Sequence, residues 1–138
     1  MHGYLALVLH AHLPFVRHPE HPRFLEEHWL YEAITDAYLP LLEILSERSG
    51  RRPGPCLTLS LSPTLVAMLG DPVLQARYLD YLERRSRLCQ AEVLRRHGDP
   101  RPQALALGYR ERLAGLAELY RDRLGGDLLD PVPAHDDV

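Results

Sequence analysis

Tyr4-Leu5-Ala6-Leu7-Val8-Leu9-His10-Ala11-His12 is the stretch that decides the fold. Its first six side chains are apolar on both faces of an extended chain. That suits a central parallel strand buried between helices and does not suit a strand with one wet face. Three prolines follow, Pro14, Pro19 and Pro22, each removing a backbone donor and fixing one dihedral, so an ordered loop is expected beyond the strand's carboxyl end. From Glu26 to Ser49 the apolar positions Leu30, Ile34, Ala37/Tyr38, Leu41/Leu42 and Leu45 recur every three or four residues, the stripe of an amphipathic helix that Pro40 should kink. Gly50 suits the C′ position and residues 51–55 a short turn. Cys56 to Leu61 alternates leucine with hydroxyl from Leu57 onward and reads as a second strand.

Two capped helices come next. Ser62-Pro63 joins an N-cap to proline at N1 for a short helix over Thr64 to Leu69 that stops at Gly70. Asp71-Pro72 repeats the device for a longer helix carrying Leu74, Tyr78, Leu82, Cys89 and Val93 on one stripe and ending at Gly98. Asp99-Pro100-Arg101-Pro102 breaks the chain before a last helix from about Gln103 to Leu124. That helix has Tyr109, Leu113, Leu116 and Tyr120 on one face and is closed by Gly125-Gly126. The order predicts an α/β fold, two parallel strands and about four helices within residues 1–126, with a disordered tail over 127–138.

With 138 residues, 46% of them hydrophobic, the chain can build a core of useful size for one ordinary domain. Sixteen basic and nineteen acidic residues leave a formal charge of -3, without the basic face that nucleic acid requires, so no nucleic-acid partner is expected. Cys56 and Cys89 have neither CxxC nor Cys/His ligand spacing and read as buried free thiols in a reducing compartment. Residues 4 to 9 are too short and lack the basic flank of a secretory signal, and no stretch reaches membrane-spanning length. A cytoplasmic chain with no membrane partner is therefore expected.

Side chains at i and i+2 of a strand share a face, so His10 and His12 project together while Ala11 faces away. Parallel sheets and barrels place their sites at the carboxyl ends of strands, where this pair sits. There two imidazoles can hydrogen-bond sugar hydroxyls, ligate a metal or orient a catalytic carboxylate. Each can equally be a buried histidine satisfied by backbone or carboxylate, and spacing alone does not choose. Glu26 and Glu27 read as first-turn carboxylates serving a helix N-terminus rather than as catalytic acids. Trp29 and Tyr31 can stack on sugar or pack inward, and Trp29 is retained as a candidate substrate-binding residue. His18, His21 and His28 raise the histidines between positions 10 and 28 to five, but the intervening prolines argue for surface loop histidines rather than one shared ion.

Residues beyond the pair narrow the choice. Leu9-His10-Ala11-His12-Leu13-Pro14-Phe15-Val16-Arg17 resembles the first conserved region of the branching enzymes of glycoside hydrolase family 57. Glu26 to Leu42 is similar to that family's first helix, including its interior proline, and Leu57 to Leu65 to its second strand and turn. The three segments occur in the family's order, and the resemblance covers roughly residues 4 to 124 of this chain. The resemblance implies the N-terminal part of a (β/α)7 barrel, and retaining chemistry on α-1,4-glucans that makes α-1,6 branches, as in glycogen biosynthesis. It implies no metal or other cofactor. Retaining chemistry needs two carboxylates. In the family the Glu nucleophile and Asp acid/base lie on later strands, and no residue here matches either, so no catalytic residue is assigned. By the same resemblance the partner is an α-glucan, with His10 and His12 lining the donor subsite and helping to hold the nucleophile.

The tail over residues 127–138 does not resemble the family. A truncated gene, a frameshifted reading or a domain fragment would each explain a faithful first 124 residues with an unrelated end. An incomplete barrel, inactive alone and open to self-association through its uncovered sheet edges, is the expectation. Two other classes stay open. Metal-dependent hydrolases of the amidohydrolase and phosphoesterase type also begin with HxH at the first strand end, although one main branch bridges its metals with a carboxylated lysine and this chain has no lysine. A non-catalytic glucan-binding or interaction module is the third.

Overall fold

The computed structural model describes residues 5–48 and 57–129, in two compact units, residues 1–69 and 70–138. The first unit runs β1 (Leu7–Ala11), α1 (Glu27–Ala33), a π-helical turn (Ile34–Tyr38), α2 (Leu39–Arg48), β2 (Leu57–Leu61) and α3 (Pro63–Leu69). The strands pair in parallel, in a register from Leu7 opposite Leu57 to Ala11 opposite Leu61, which sets His10 opposite Ser60. Tyr4, Ser49, Gly50, the turn over 51–55 and Cys56 lie outside the described residues.

β1 takes in the histidine that follows the apolar run, and its burial differs from expectation. Leu7 is 51% and Val8 62% exposed, and only Ala11 is buried. The leucine face of β2 is likewise open at Leu59 and Leu61. Among the described residues each strand pairs only with the other. The apolar pattern therefore records a covering on both faces that a two-stranded sheet does not supply.

The helix around Pro40 is interrupted by the π turn instead of a simple kink. The Leu39 N–H reaches back to the Ile34 carbonyl, five residues away, just ahead of the proline that cannot donate. The Thr35 hydroxyl donates to the Tyr31 carbonyl at 2.7 Å, drawing that carbonyl off the regular ladder. Leu30, Tyr31, Ile34 and Leu39 are thereby all buried, with Val16, Leu65 and Met68, in the core of this unit. Each such side chain contributes roughly 1.5–3 kcal/mol by leaving water.

The second unit holds α4 (Pro72–Arg95), α5 (Pro100–Glu118) and a π-helical turn (Leu119–Arg123). The Asp71 carboxylate caps α4, accepting from the Val73 and Leu74 amides at 2.9 and 3.1 Å. Leu74, Tyr78 and Leu82 are buried as the stripe requires, and Tyr81 joins them. Cys89 is a free thiol but only half-buried, because the apolar face runs out toward the end of α4. α5 starts at Pro100, three residues earlier than expected. Pro100 and Pro102 fall in the first turn, whose amides have no intrahelical acceptor to lose. Its buried face is Ala106, Leu113 and Leu116, continued by Tyr120 in the π-helical turn, while Tyr109 is exposed.

Tyr120 meets Tyr78 edge-on with ring centroids 4.9 Å apart. The Arg110 guanidinium donates to the side-chain Oε1 of Gln90 at 2.7 Å, tying α5 to α4. Gly125 and Gly126, at φ of +61° and +81°, close the last helical turn, the Gly126 amide donating to the Tyr120 carbonyl at 2.8 Å. Asp127 to Leu129 continue as a hydrogen-bonded bend, and the rest of the tail lies outside the described residues. No helix among the described residues is long and apolar enough to cross a membrane.

Candidate functional site

His10 and His12 stand side by side at the carboxyl end of β1. Their rings are within 9° of parallel with centroids 6.3 Å apart. That distance is about two strand residues of rise, so the strand itself orients the rings and holds them like two parallel plates instead of pressing them together. Both side chains are exposed, while Ala11 between them is buried, as the alternation requires. His10 Nδ1 lies 3.2 Å from the Ser60 hydroxyl on β2. That bond leaves Nε2 of His10 directed elsewhere, and among the described residues His12 makes no hydrogen bond through either nitrogen.

The ground beneath the pair is fixed by backbone. The Ser62 amide donates to the Ala11 carbonyl at 3.0 Å, and the Thr64 hydroxyl to the Leu13 carbonyl at 3.0 Å. The Val16 amide donates to Met68 Sδ at 3.3 Å. Ser62 also caps α3 through the Leu65 amide at 3.3 Å. The segment from Ala11 to Val16 is thus stitched to α3, so His12 sits on an immobilised exit from the strand rather than on a free loop.

The remaining candidates do not converge on the pair. Trp29, on α1, is 52% exposed, and among the described residues no ring contact joins it to His10 or His12. Tyr31 packs inward. Glu27, expected at the helix N-terminus, is 1% exposed and accepts from the Tyr31 hydroxyl at 3.0 Å, while neither it nor Glu26 caps the helix. A carboxylate one turn from a tyrosine on the same helix face can exchange the weak dipole interaction for a buried hydrogen bond.

His18 and His21 gather on Phe24, with centroids 3.7 and 5.6 Å away, and His28 faces Tyr31 at 6.2 Å. His18 also lies 3.0 Å from Glu20, whose carboxyl is held below its ordinary value by a backbone hydrogen bond and then by His18. The loop histidines are therefore built into an aromatic cluster. Among the described residues no three histidine, cysteine or acidic side chains come together as a metal would require. Ser60 is the site residue the sequence reading passed over. Its signal was the hydroxyl face of β2, which reveals a partner for His10 only once the parallel register is known.

Chemically, the strand end offers imidazole nitrogens and a hydroxyl that can donate or accept, set at fixed spacing on an open surface. Among the described residues no carboxylate hydrogen-bonds to either imidazole.

No family model matches the chain. A 1,4-alpha-glucan branching enzyme of Thermococcus kodakarensis is 30% identical over 133 residues, covering 94% of this chain and 18% of that protein. A crystal structure of a branching enzyme from the same organism, described as GH57 and in complex with glucose, superposes with a TM-score of 0.74 at 26% identity. It covers 91% of this chain and 22% of that one. The novel alpha-amylase AmyC of Thermotoga maritima superposes with a TM-score of 0.81 at 39% identity, covering 91% of this chain and 24% of that one. For the GH57-type branching enzyme of Pyrococcus horikoshii the values are 0.77 and 29%, over 91% and 23%. The chain spans about a fifth of the length of these proteins.

Proposed function

We propose that this chain, which belongs to glycoside hydrolase family 57, forms the glucose-facing wall of a glucan-branching site, with His10 and His12 presenting hydrogen-bonding groups to sugar hydroxyls and Ser60 orienting His10. The observation that carries the reading is the paired imidazoles on a tethered strand end. Two near-parallel rings with centroids 6.3 Å apart, wider than neighbouring sugar hydroxyls, can each meet a different hydroxyl of a polyhydroxylated ligand, whereas a single cation would need a third converging ligand. Trp29 gives the same unit an exposed aromatic face for stacking on glucose. The substrate is an α-1,4-glucan, and the parent reaction is retaining chain transfer to an α-1,6 branch, in cytoplasmic glycogen biosynthesis.

The residues gathered at the strand end bind but do not cleave. Retaining transfer needs a nucleophile and an acid/base about 5 Å apart, and among the described residues of the first unit the buried carboxylate, Glu27, is engaged with Tyr31. Binding without turnover follows for the chain taken alone. The test is titration of maltoheptaose into the pure chain, followed by incubation with amylose and assay for new α-1,6 linkages. Measurable binding weakened by His10→Ala or His12→Ala is expected, with no new linkages. Binding that both variants leave intact would remove the site, and clear turnover would remove the division between binding and catalysis.

A further inference from the structure

Phe15 follows His12 by three residues and is 56% exposed. A single exposed phenylalanine is ordinary on a protein surface. What sets this one apart is that its backbone is held on both sides. The Leu13 carbonyl accepts from the Thr64 hydroxyl at 3.0 Å, and the Val16 amide donates to Met68 Sδ at 3.3 Å. Val16 and Met68 are themselves buried, and Pro14 fixes a further dihedral between the two tethers. An aromatic side chain is thereby left in water by a segment anchored to α3 before and after it. Phe24, the chain's other phenylalanine, shows the contrast. Its ring packs against those of His18 and His21, with centroids 3.7 and 5.6 Å away, whereas among the described residues Phe15 makes no ring contact.

The place of Phe15 in the chain indicates its ligand. Three residues of chain span at most about 11 Å, so Phe15 and the imidazoles lie within reach of one short oligosaccharide. Small-ligand sites combine aromatic contact area with a few placed polar groups that fix orientation. His10 and His12 are polar groups of that kind, and a pyranose ring has an apolar C–H face that an aromatic side chain covers. We propose that Phe15 is a further glucan-contacting residue, its ring stacking on a glucose unit of the same α-glucan that His10 and His12 hydrogen-bond. The proposal rests on the sugar-site reading given above. It gives the tethers from α3 a second purpose, because a segment fixed before the ligand arrives loses less freedom on binding.

The experiment titrates maltoheptaose into the full 138-residue chain carrying Phe15→Leu, Phe15→Tyr or His10→Ala, with thermal melts alongside. Phe15→Leu keeps apolar bulk and removes the ring, so affinity should fall roughly three- to tenfold, while Phe15→Tyr keeps the ring and should stay within about twofold of wild type. Melting temperatures should agree, since the side chain stands largely in water. Unchanged affinity in Phe15→Leu would overturn the proposal, as would an equal loss in Phe15→Leu and Phe15→Tyr. A fall in melting temperature that accompanies the lost affinity of Phe15→Leu would mark a packing residue and overturn it too. The two readings fail separately. Weakening by His10→Ala with Phe15→Leu at wild-type affinity leaves the imidazole site without the stacking residue, and the converse leaves the aromatic contact without the imidazoles.

Discussion

Ser60 holds His10 across the parallel pair, hydroxyl to Nδ1 at 3.2 Å, and this cross-strand bond fixes which nitrogen of the imidazole remains for a ligand. Ser60→Ala frees the ring to rotate without removing it. A neutral hydrogen bond on an exposed surface contributes about 0.5–1.5 kcal/mol, so maltoheptaose affinity should fall roughly two- to tenfold. Thermal stability should hardly change. Titration calorimetry of the variant beside His10→Ala checks this, and a Ser60→Ala loss equal to the His10→Ala loss would show that the serine binds sugar directly.

Glu27 and Tyr31 form a buried pair one helical turn apart. Glu27→Leu removes the buried 3.0 Å hydrogen bond from the Tyr31 hydroxyl, a cost of about 1–3 kcal/mol. Glu27→Gln keeps an acceptor oxygen and should cost less. Urea unfolding followed by circular dichroism should rank the variants in that order, with the leucine variant less stable despite its greater hydrophobicity.

Asp71 caps α4 with two amide bonds. Asp71→Ala should lower stability by about 1 kcal/mol, and Asp71→Asn, which retains the acceptor, by only a fraction of that. The comparison is a pair of thermal melts. Asp99 stands in the same sequence context before α5 but makes no side-chain cap bond, so Asp99→Ala should be nearly silent.

Burial, and then the Asp127 charge, push the Tyr120 hydroxyl from an ordinary 10.0 up to about 12. The folded state thus holds its proton longer than the unfolded state. The stabilising contribution is complete below pH 10 and is lost as pH rises through about 12. Chemical denaturation at rising pH should show stability falling across that window, and Tyr120→Phe should flatten the fall. An ultraviolet phenolate titration in which every tyrosine ionises near its ordinary value would contradict the assignment.

What could be read from the sequence was what depends on near neighbours. That His10 and His12 share a face follows from a two-residue period, and the caps at Ser62 and Asp71 follow from local hydrogen bonds. Burial of β1 depends on what covers it, which is why an apolar run proved exposed at Leu7 and Val8. Pro40 announced an interruption, yet the choice of a π turn rests on Thr35 and on which side chains the widening buries. Pro100 and Pro102 looked like breakers because a proline's effect depends on its helical position, not on its presence. Ser60 needed the register, a long-range quantity, before it could join the site.

The bond from the Ser62 amide to the Ala11 carbonyl is at once the last rung of the sheet and the first of α3's approaches to the strand exit. A residue gained or lost between Leu61 and Thr64, or between Ala11 and Leu13, would move His12 by about a strand residue's rise, roughly 3.3 Å, and turn it to the opposite side. Related sequences should accordingly keep these short spans at constant length while the stretch from Arg17 to Leu25 varies, and a gap falling at Ala11 or Ser62 would mark a chain whose imidazoles no longer stand side by side.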